Sequence, residues 1–374
     1  MQCAGVDRAH RPGVRLGGFA ATRPRFVTSQ QRSLDWLAGA HAAAEATLAL
    51  LDDEEKHSFE ARMLRLLARC ACTPDKIATR GHSVERVEHG TFDPLPHGAA
   101  TSARMLQFSA IVDEYLTTTY AGDHVAPDDL IHVTCTGYVS PSGAQKLVAA
   151  KRWPTRVTHA YHMGCYAAVP ALRMAAGFHA TGSRRVDLVH TELCSLHFDP
   201  SDHSPEQLVV QSLFADGLIR YSLTPSGPGL ELLATHEQVM PDSAQSMGWR
   251  VGDHGMAMTL SRDVPTRIAN VLREFVIDLF ARANVSLDEL PRSSWAVHPG
   301  GPKILDGVRD TLELDESQIA ASREVLREYG NMSSATLPHI WMRLERDLPA
   351  GALVPSLAFG PGLTICGALF VKRC

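Results

Sequence analysis

Apolar positions recur at near-helical spacing over residues 34–70, where Leu48, Leu50, Leu51, Met63, Leu66 and Leu67 lie in an Ala-rich stretch, and the pattern predicts a helix there. Residues 102–121 predict a second amphipathic helix. Leu130-Ile-His-Val-Thr-Cys135 is a short branched run and reads as a strand. Gly137, Pro141 and Gly143 then punctuate a loop before a helix over 142–152. A strand over 156–161 runs through His162-Met-Gly-Cys165 into a helix from Tyr166 to Ala176, with Pro170 near its first turn. Further on, the pattern predicts a strand over 185–191, a helix over 205–214, and strands over 229–239 and 256–260. Pro265 opens a long helix over 264–283. A strand ends at Trp295-Ala-Val-His298, helices follow over 318–329 and 334–347, and a Gly-punctuated strand pair covers 356–371. Strands and helices alternate throughout, which predicts an α/β fold with both sheet faces covered. A coarse duplication into two halves is expected to break near residue 230.

Composition narrows the function classes. The 374 residues are 45% hydrophobic and 21% charged, enough for a large core. A formal net charge of −5 argues against nucleic acid as a main partner. No apolar run reaches the length of a membrane span. Met1 to Phe26 carries several Arg but not the continuous apolar segment of a secretory signal, so it reads as a loosely ordered leading strand. A cytoplasmic location and reduced cysteines are the corresponding expectations. The eight cysteines are Cys3, Cys70, Cys72, Cys135, Cys165, Cys194, Cys366 and Cys374. Cys70 and Cys72 have no second ligand pair at zinc spacing, so no metal is expected. Arg65 and Arg69 near the end of the first helix, with Lys76 and Arg80 close by, read as a solvated face or a rim for a phosphorylated carrier.

Three residues carry candidate chemistry. Cys165 follows Gly164 where a strand turns into a helix, a placement that exposes a side chain to unsatisfied helix N–H groups and favours a thiolate. His298 opens His-Pro-Gly-Gly-Pro302, a stiff, sharp loop with room for a ligand. Asn331 lies in Glu328-Tyr-Gly-Asn-Met-Ser-Ser-Ala335, between two predicted helices, where an Asn also serves as a cap. A thiol, an imidazole and a carboxamide suit a thiol hydrolase or an acyltransferase equally well.

Four segments together resemble the type III polyketide synthases, the chalcone and stilbene synthase family. They are Gly164-Cys-Tyr-Ala167 with Leu172-Arg173; Pro200-Ser-Asp202 through Gln211-Ser-Leu-Phe-Ala-Asp-Gly217; His298-Pro-Gly-Gly-Pro302 with Ile304-Leu-Asp306; and Glu328 to Ala335 followed by Phe359-Gly-Pro-Gly-Leu-Thr364. The resemblance covers roughly residues 75–374. Met247-Gly-Trp249, with Asp253, Gly255 and Leu260-Ser-Arg-Asp263, is similar to the bacterial branch.

The resemblance implies a thiolase-like αβαβα layered fold built from two related halves. Residues 1–230 would carry the nucleophilic Cys165, and residues 231–374 would carry His298 and Asn331. It implies a homodimer, acyl-CoA and malonyl-CoA as substrates, and no cofactor. Phe214 and Met258 match gatekeeper positions, and Cys135, Thr136, Cys194, Leu196, His197, Trp249 and Ser333 would line the pocket. Cys165 would take the acyl group. Malonyl-CoA would lose CO₂, and His298 and Asn331 would hold the enolate charge, each donor worth about 3 kcal/mol in rate.

Departures qualify this picture. Cys135, Leu196, His197 and Trp249 stand where plant enzymes have small or hydroxylated residues, and Ser140 stands where the family places a Met that reaches across the dimer. His197 would either bind a substrate carbonyl or be a satisfied buried histidine. Arg65, Arg69 and Lys76 match the coenzyme A grip only out of register, which leaves an acyl carrier protein as the alternative carrier. A tunnel gated by Met258 suits an aliphatic starter, giving a pyrone, resorcinol or related polyketide. The alternatives are a ketosynthase that joins two acyl chains once and a non-catalytic partner subunit.

Overall fold

The structure is a computed structural model and describes residues 13–84 and 96–374; Cys3 lies outside them. In chain order the elements begin with β1 (Arg15–Thr22), β2 (Phe26–Ser29), α1 (Gln30–Ala49), α2 (Asp53–Cys70), β3 (Thr79–His82) and α3 (Thr101–Thr119). They continue with β4 (Asp129–Thr134), α4 (Gly143–Lys151), β5 (Arg156–Tyr161), α5 (Ala168–Ala180), β6 (Val186–Leu193), α6 (Pro205–Leu213) and β7 (Asp216–Thr224). The rest are β8 (Gly229–Val239), β9 (Met247–Gly252), β10 (Gly255–Leu260), α7 (Val264–Ala283), β11 (Ala296–Val297), α8 (Pro302–Leu312), α9 (Ala320–Tyr329), α10 (Thr336–Asp347), β12 (Leu353–Gly360) and β13 (Thr364–Arg373).

Among the described residues nine strands form one sheet, in the order β11-β12-β13-β8-β1-β7-β6-β4-β5. The pairing repeats. On one side β1–β7 and β7–β6 are antiparallel and β6–β4 is parallel; on the other β8–β13 and β13–β12 are antiparallel and β12–β11 is parallel. The two sets meet where Arg15 and Leu16 of β1 pair with Glu231 and Leu230 of β8. Helices α5 and α10 pack Ala168, Leu172, Ile340 and Trp341 into one core, and α7 packs Leu272, Phe275, Val276 and Leu279 into another. At roughly 25 cal/mol per Å² of apolar surface, fully buried side chains such as Trp341 and Phe275 are the main stabilising contributions.

Several elements differ from the sequence pattern. The single helix over 34–70 is two. Leu50 takes φ 55° at the end of α1, and Asp52 caps α2 in a reciprocal box with Glu55. The leading strand is not loose: β1 lies inside the sheet, with Leu16 fully buried. Strand β7, whose Arg220 and Ser222 broke the apolar run, pairs along its length with β6. Helix α8 was missed because Gly307 and Asp306 interrupt its periodicity, yet it packs Leu305, Val308 and Leu312 inward. Helix α5 begins at Ala168, so Pro170 falls within its first turn, where its missing N–H costs nothing. Among the described residues no helix is long and apolar enough to cross a membrane.

Candidate active site

Cys165 sits on the turn between β5 and α5, closed by the Ala167 N–H donating to the Gly164 carbonyl at 3.1 Å. Gly164 has φ +80°, and a Cβ there would lie 2.6 Å from Pro361. Only glycine fits both demands, so the nucleophile turn packs directly on the loop between β12 and β13. At the adjoining end of β12, a Cβ at Gly360 would strike the Tyr166 ring at 2.2 Å. The Gly-Cys-Tyr and Phe-Gly-Pro-Gly segments are therefore two faces of one contact.

The Cys165 thiol is 7% exposed and donates to Ser333 Oγ at 3.8 Å. Burial pushes the thiol up to about 12, while Ser333 and the Asn331 side chain pull it part of the way back. Asn331 follows Gly330 at the end of α9. Its backbone clamps the end of α6: its N–H donates to the Leu213 carbonyl at 3.0 Å, and the Ala215 N–H donates to its carbonyl at 2.8 Å. Its Oδ1 accepts from the Ser333 N–H at 2.9 Å, which commits the carbonyl end of the amide to the turn and turns the NH₂ end toward the thiol. The capping role and a role at the sulfur are thus both open to the same side chain.

His298 follows β11, with its N–H donating to the Leu357 carbonyl of β12 at 2.8 Å. It is 1% exposed, and neither ring nitrogen has a hydrogen-bond partner in the protein. Burial lowers its pKa to about 3. Cys165 and His298 share no hydrogen bond, and burial drives both toward their neutral forms.

Cys165 opens on a cavity with about 330 Å³ of space counted out into solvent, lined also by Cys135, Thr136, Cys194, Phe214, Met247, Trp249, Met258 and Ser333. His298 and Asn331 do not line it. Trp249 Nε1 donates to the Cys135 carbonyl at 2.6 Å. His197 Nδ1 accepts from the Met256 N–H at 3.1 Å, which fixes its proton on Nε2, where it donates to the Thr136 carbonyl at 2.7 Å. Both nitrogens of His197 are engaged with backbone, so it is a satisfied buried histidine. Together Trp249 and His197 pin the β9–β10 hairpin to two consecutive carbonyls.

Two groups of expected residues lie off the wall of this cavity. Leu196 is on the wall of neither this cavity nor the larger one beside it; it packs into the core with Phe108, Val112 and Leu193. Arg65 and Arg69 stand exposed on one face of α2, and Lys76 pairs with Asp75 at 3.2 Å; none lines the cavity. Sequence reasoning also missed Glu192. This carboxylate is fully buried at the end of β6, where it accepts from the Cys135 N–H at 3.1 Å, the Thr136 hydroxyl at 3.0 Å and the Ser334 hydroxyl. Burial raises its pKa, against these hydrogen bonds. A glutamate inside an otherwise strand-like run was the available signal.

The paired sets of strands, the covering helices and the buried cysteine turn define a mixed α/β, thiolase-like layered fold. It is matched by the C-terminal type III polyketide synthase domain of Steely1, a type I/III hybrid from Dictyostelium (TM-score 0.83, 24% identity, 97% of this chain and 100% of that one). It is also matched by 1,3,6,8-tetrahydroxynaphthalene synthase from Streptomyces coelicolor (TM-score 0.75, 23% identity, 96% and 99%). In sequence, type III polyketide synthase C of Arabidopsis thaliana is 33% identical over 254 residues, which are 64% of this chain and 66% of that protein. Residues 231–373 match the C-terminal domain of chalcone and stilbene synthases. Residues 231–373 thus carry the C-terminal domain of the chalcone and stilbene synthase family, and over most of its length the chain is similar to type III polyketide synthases. It spans 66% of the length of the Arabidopsis relatives it matches.

Proposed function

We propose that the protein is a type III polyketide synthase that extends an acyl thioester, most naturally an aliphatic acyl-CoA, with malonyl-CoA. The observation that carries this reading is the Cys165 thiol on its glycine turn, beside the Asn331 amide and Ser333, facing an apolar cavity walled by Phe214, Met258 and Trp249.

Each step has a group to perform it. As Cys165 Sγ attacks the acyl carbonyl, its proton passes to a nitrogen of His298, which is uncommitted within the protein. The carbon–sulfur bond to coenzyme A breaks, and the departing thiolate takes the proton. Malonyl-CoA then loses CO₂. The electron pair becomes an enolate whose oxygen is held by the Asn331 amide and His298. The enolate carbon attacks the acyl-enzyme, and the Cys165 thiolate leaves to begin the next round.

Supplied with malonyl-CoA and a panel of acyl-CoAs, the protein should form extended products by mass, and intact-mass measurement should find the acyl group on Cys165. Decarboxylation alone, with no adduct from any thioester, would sink the reading. The positions of Arg65, Arg69 and Lys76 away from the cavity favour one variant, in which an acyl carrier protein delivers the chain. In that case only carrier-bound acyl groups react. A homodimer is part of the proposal: β5 is the last strand of the sheet and leaves one edge of Arg156–Tyr161 unpaired. The Met247-Gly-Trp249 segment is the basis for placing the protein in the bacterial-type branch.

A further inference from the structure

Phe214 closes α6 and stands on the wall of two cavities: the one at Cys165, and a larger cleft beside it with about 680 Å³ of space counted out into solvent. Ser33 and Leu37 of α1 and Val210 of α6 line that cleft, and Trp249 and Met258 line both. Arg80, on β3, is only 3% exposed and lies on the wall of the larger cleft.

The end of a helix leaves its last carbonyls without partners inside the helix. In α6 each of them, from Val210 to Phe214, is taken. The Val210 carbonyl accepts the Phe214 N–H at 3.1 Å, and the Ser212 carbonyl accepts Gln30 Nε2 at 2.8 Å. The Leu213 carbonyl accepts the Asn331 N–H at 3.0 Å. Arg80 Nη1 serves two at once, the Gln211 carbonyl at 2.7 Å and the Phe214 carbonyl at 2.8 Å. Gln30 in turn holds Arg80, accepting from its Nε at 2.8 Å. Burial lowers the Arg80 pKa to about 10, against the pull of Asp216, so the guanidinium is a cation at neutral pH. A cation at the negative end of a helix dipole is favourable, which offsets part of the cost of burying it.

One peptide unit links this cap to the chemistry. The Phe214–Ala215 peptide accepts Arg80 at its carbonyl, and its N–H, that of Ala215, donates to the Asn331 carbonyl at 2.8 Å. A carbonyl that takes a charged donor makes the N–H of the same peptide a stronger donor. The stem of Arg80 also packs on Gly330, where φ is +75° and a Cβ would lie 3.0 Å from Arg80 Cγ. Arg80 thus touches the residue before Asn331 and, through a single peptide, holds Asn331 itself.

We infer that Arg80 is a positioning residue for the reaction: by capping α6 it fixes Asn331, and with it the amide that holds the enolate charge beside Cys165. The inference rests on the reading of Asn331 as a donor to that enolate. Loading draws on Cys165 and His298 instead, so a change at Arg80 separates the two half-reactions.

The test measures two rates in parallel: release of CO₂ from malonyl-CoA, and acetyl transfer from acetyl-CoA to Cys165, followed by intact mass without malonyl-CoA. Arg80→Lys keeps the charge but offers a point donor in place of a fork. It should lower kcat for decarboxylation by at least about tenfold, the order expected when a reacting group is slightly misplaced. Acetyl transfer should fall by less than about threefold. Gln30→Met leaves Arg80 in place but unsupported; it should shift the two rates in the same sense by less, and it carries the test if Arg80→Lys does not fold. In Asn331→Ala, adding Arg80→Lys should lower decarboxylation no further, because the group it positions is gone. Equal falls in both half-reactions, or no fall in either, in folded variants overturn the inference and leave Arg80 a structural strut. An additive fall in the double variant also overturns it, since Arg80 then acts without Asn331. If the unaltered protein performs both half-reactions and the variants do not separate them, this inference alone falls. If it performs neither, the condensing reading falls with it.

Discussion

The two cavities that share Phe214 and Met258 are built on different principles. The Cys165 cavity is small and backed by polar groups that hold one another, with Ser333 between the thiols of Cys135 and Cys165 and Glu192 behind them. The cleft beside α1 is about twice as large, and on its wall Gln207 donates to the Met258 carbonyl and Gln211 to the Asp199 carbonyl. Loops and turns supply much of the first; the faces of α1 and α6 supply six of the sixteen wall residues of the second. The contrast teaches that the turns which hold the thiol are built separately from the space beside it, with Phe214 and Met258 on the wall of both.

The largest expected effect breaks the first cavity and spares the second. Cys165→Ala should reduce condensation to background and remove the acyl adduct, while Tm shifts by little, because a small buried side chain is replaced by a smaller one. Product analysis and intact mass check both outcomes. Next come the donors. Asn331→Ala and His298→Gln should each lower kcat by about 10²–10³, as loss of one charge-stabilising donor does elsewhere. Malonyl-CoA decarboxylation, measured by release of CO₂, should fall mainly in Asn331→Ala. A change in KM alone would show that these groups hold substrate without acting on the reaction.

The contrast between the cavities also governs how much could be read from the sequence. The Cys165 cavity is legible because its parts come as words: Gly164-Cys165, His298-Pro-Gly-Gly, Gly330-Asn331-Met-Ser333 and Gly360-Pro361 must each keep a particular backbone, and the residues that keep it are Gly, Pro and Asn. The cleft was invisible because Ser33, Leu37 and Val210 obey only the demand of an apolar helix face, which many sequences satisfy. Likewise β7 was lost because alternating Arg220 and Ser222 look like a loop until β6 is known to lie beside it. His197 was ambiguous for a related reason. Its two backbone partners are 59 and 61 positions away in the chain, and no local pattern announces them.

Titration separates the two regions by charge. Burial lowers His132, His190 and His298 to about 3 and His339 to about 4, all in the layers around the first cavity; on the cleft side His41 is lowered to about 4. In each case the folded pKa lies below the unfolded value of 6.5. Between those values the unfolded chain binds the extra proton. The stability contribution of each neutral histidine is thus complete above about 6.5 and declines as pH falls, by about 1.4 kcal/mol per pH unit per group. The raised carboxyls of Glu192 and Asp216 oppose this, but they are fewer. Denaturant unfolding should show stability falling steeply from pH 6.5 toward 4. His41→Gln should remove a smaller share of that slope than His190→Gln and His339→Gln combined.

The smallest effect concerns the wall that keeps the cavities distinct. Trp249 contributes bulk to both, and a single hydrogen bond, 2.6 Å from Nε1 to the Cys135 carbonyl, that ties the β9–β10 hairpin to the loop after β4. Trp249→Phe keeps much of the ring and removes the donor. The stability cost should be about 1 kcal/mol, the usual net worth of one such bond, and Tm should drop by only a few degrees. His197 still holds the adjacent carbonyl of Thr136, so the hairpin stays attached but gains freedom to shift. Acyl-chain selectivity should therefore broaden more than stability falls. Acylation of Cys165 across acetyl-, hexanoyl- and decanoyl-CoA, set beside Tm, measures the two together. A large loss of Tm with unaltered selectivity would mean that the indole is only a structural strut and that Phe214 and Met258 alone divide the two spaces.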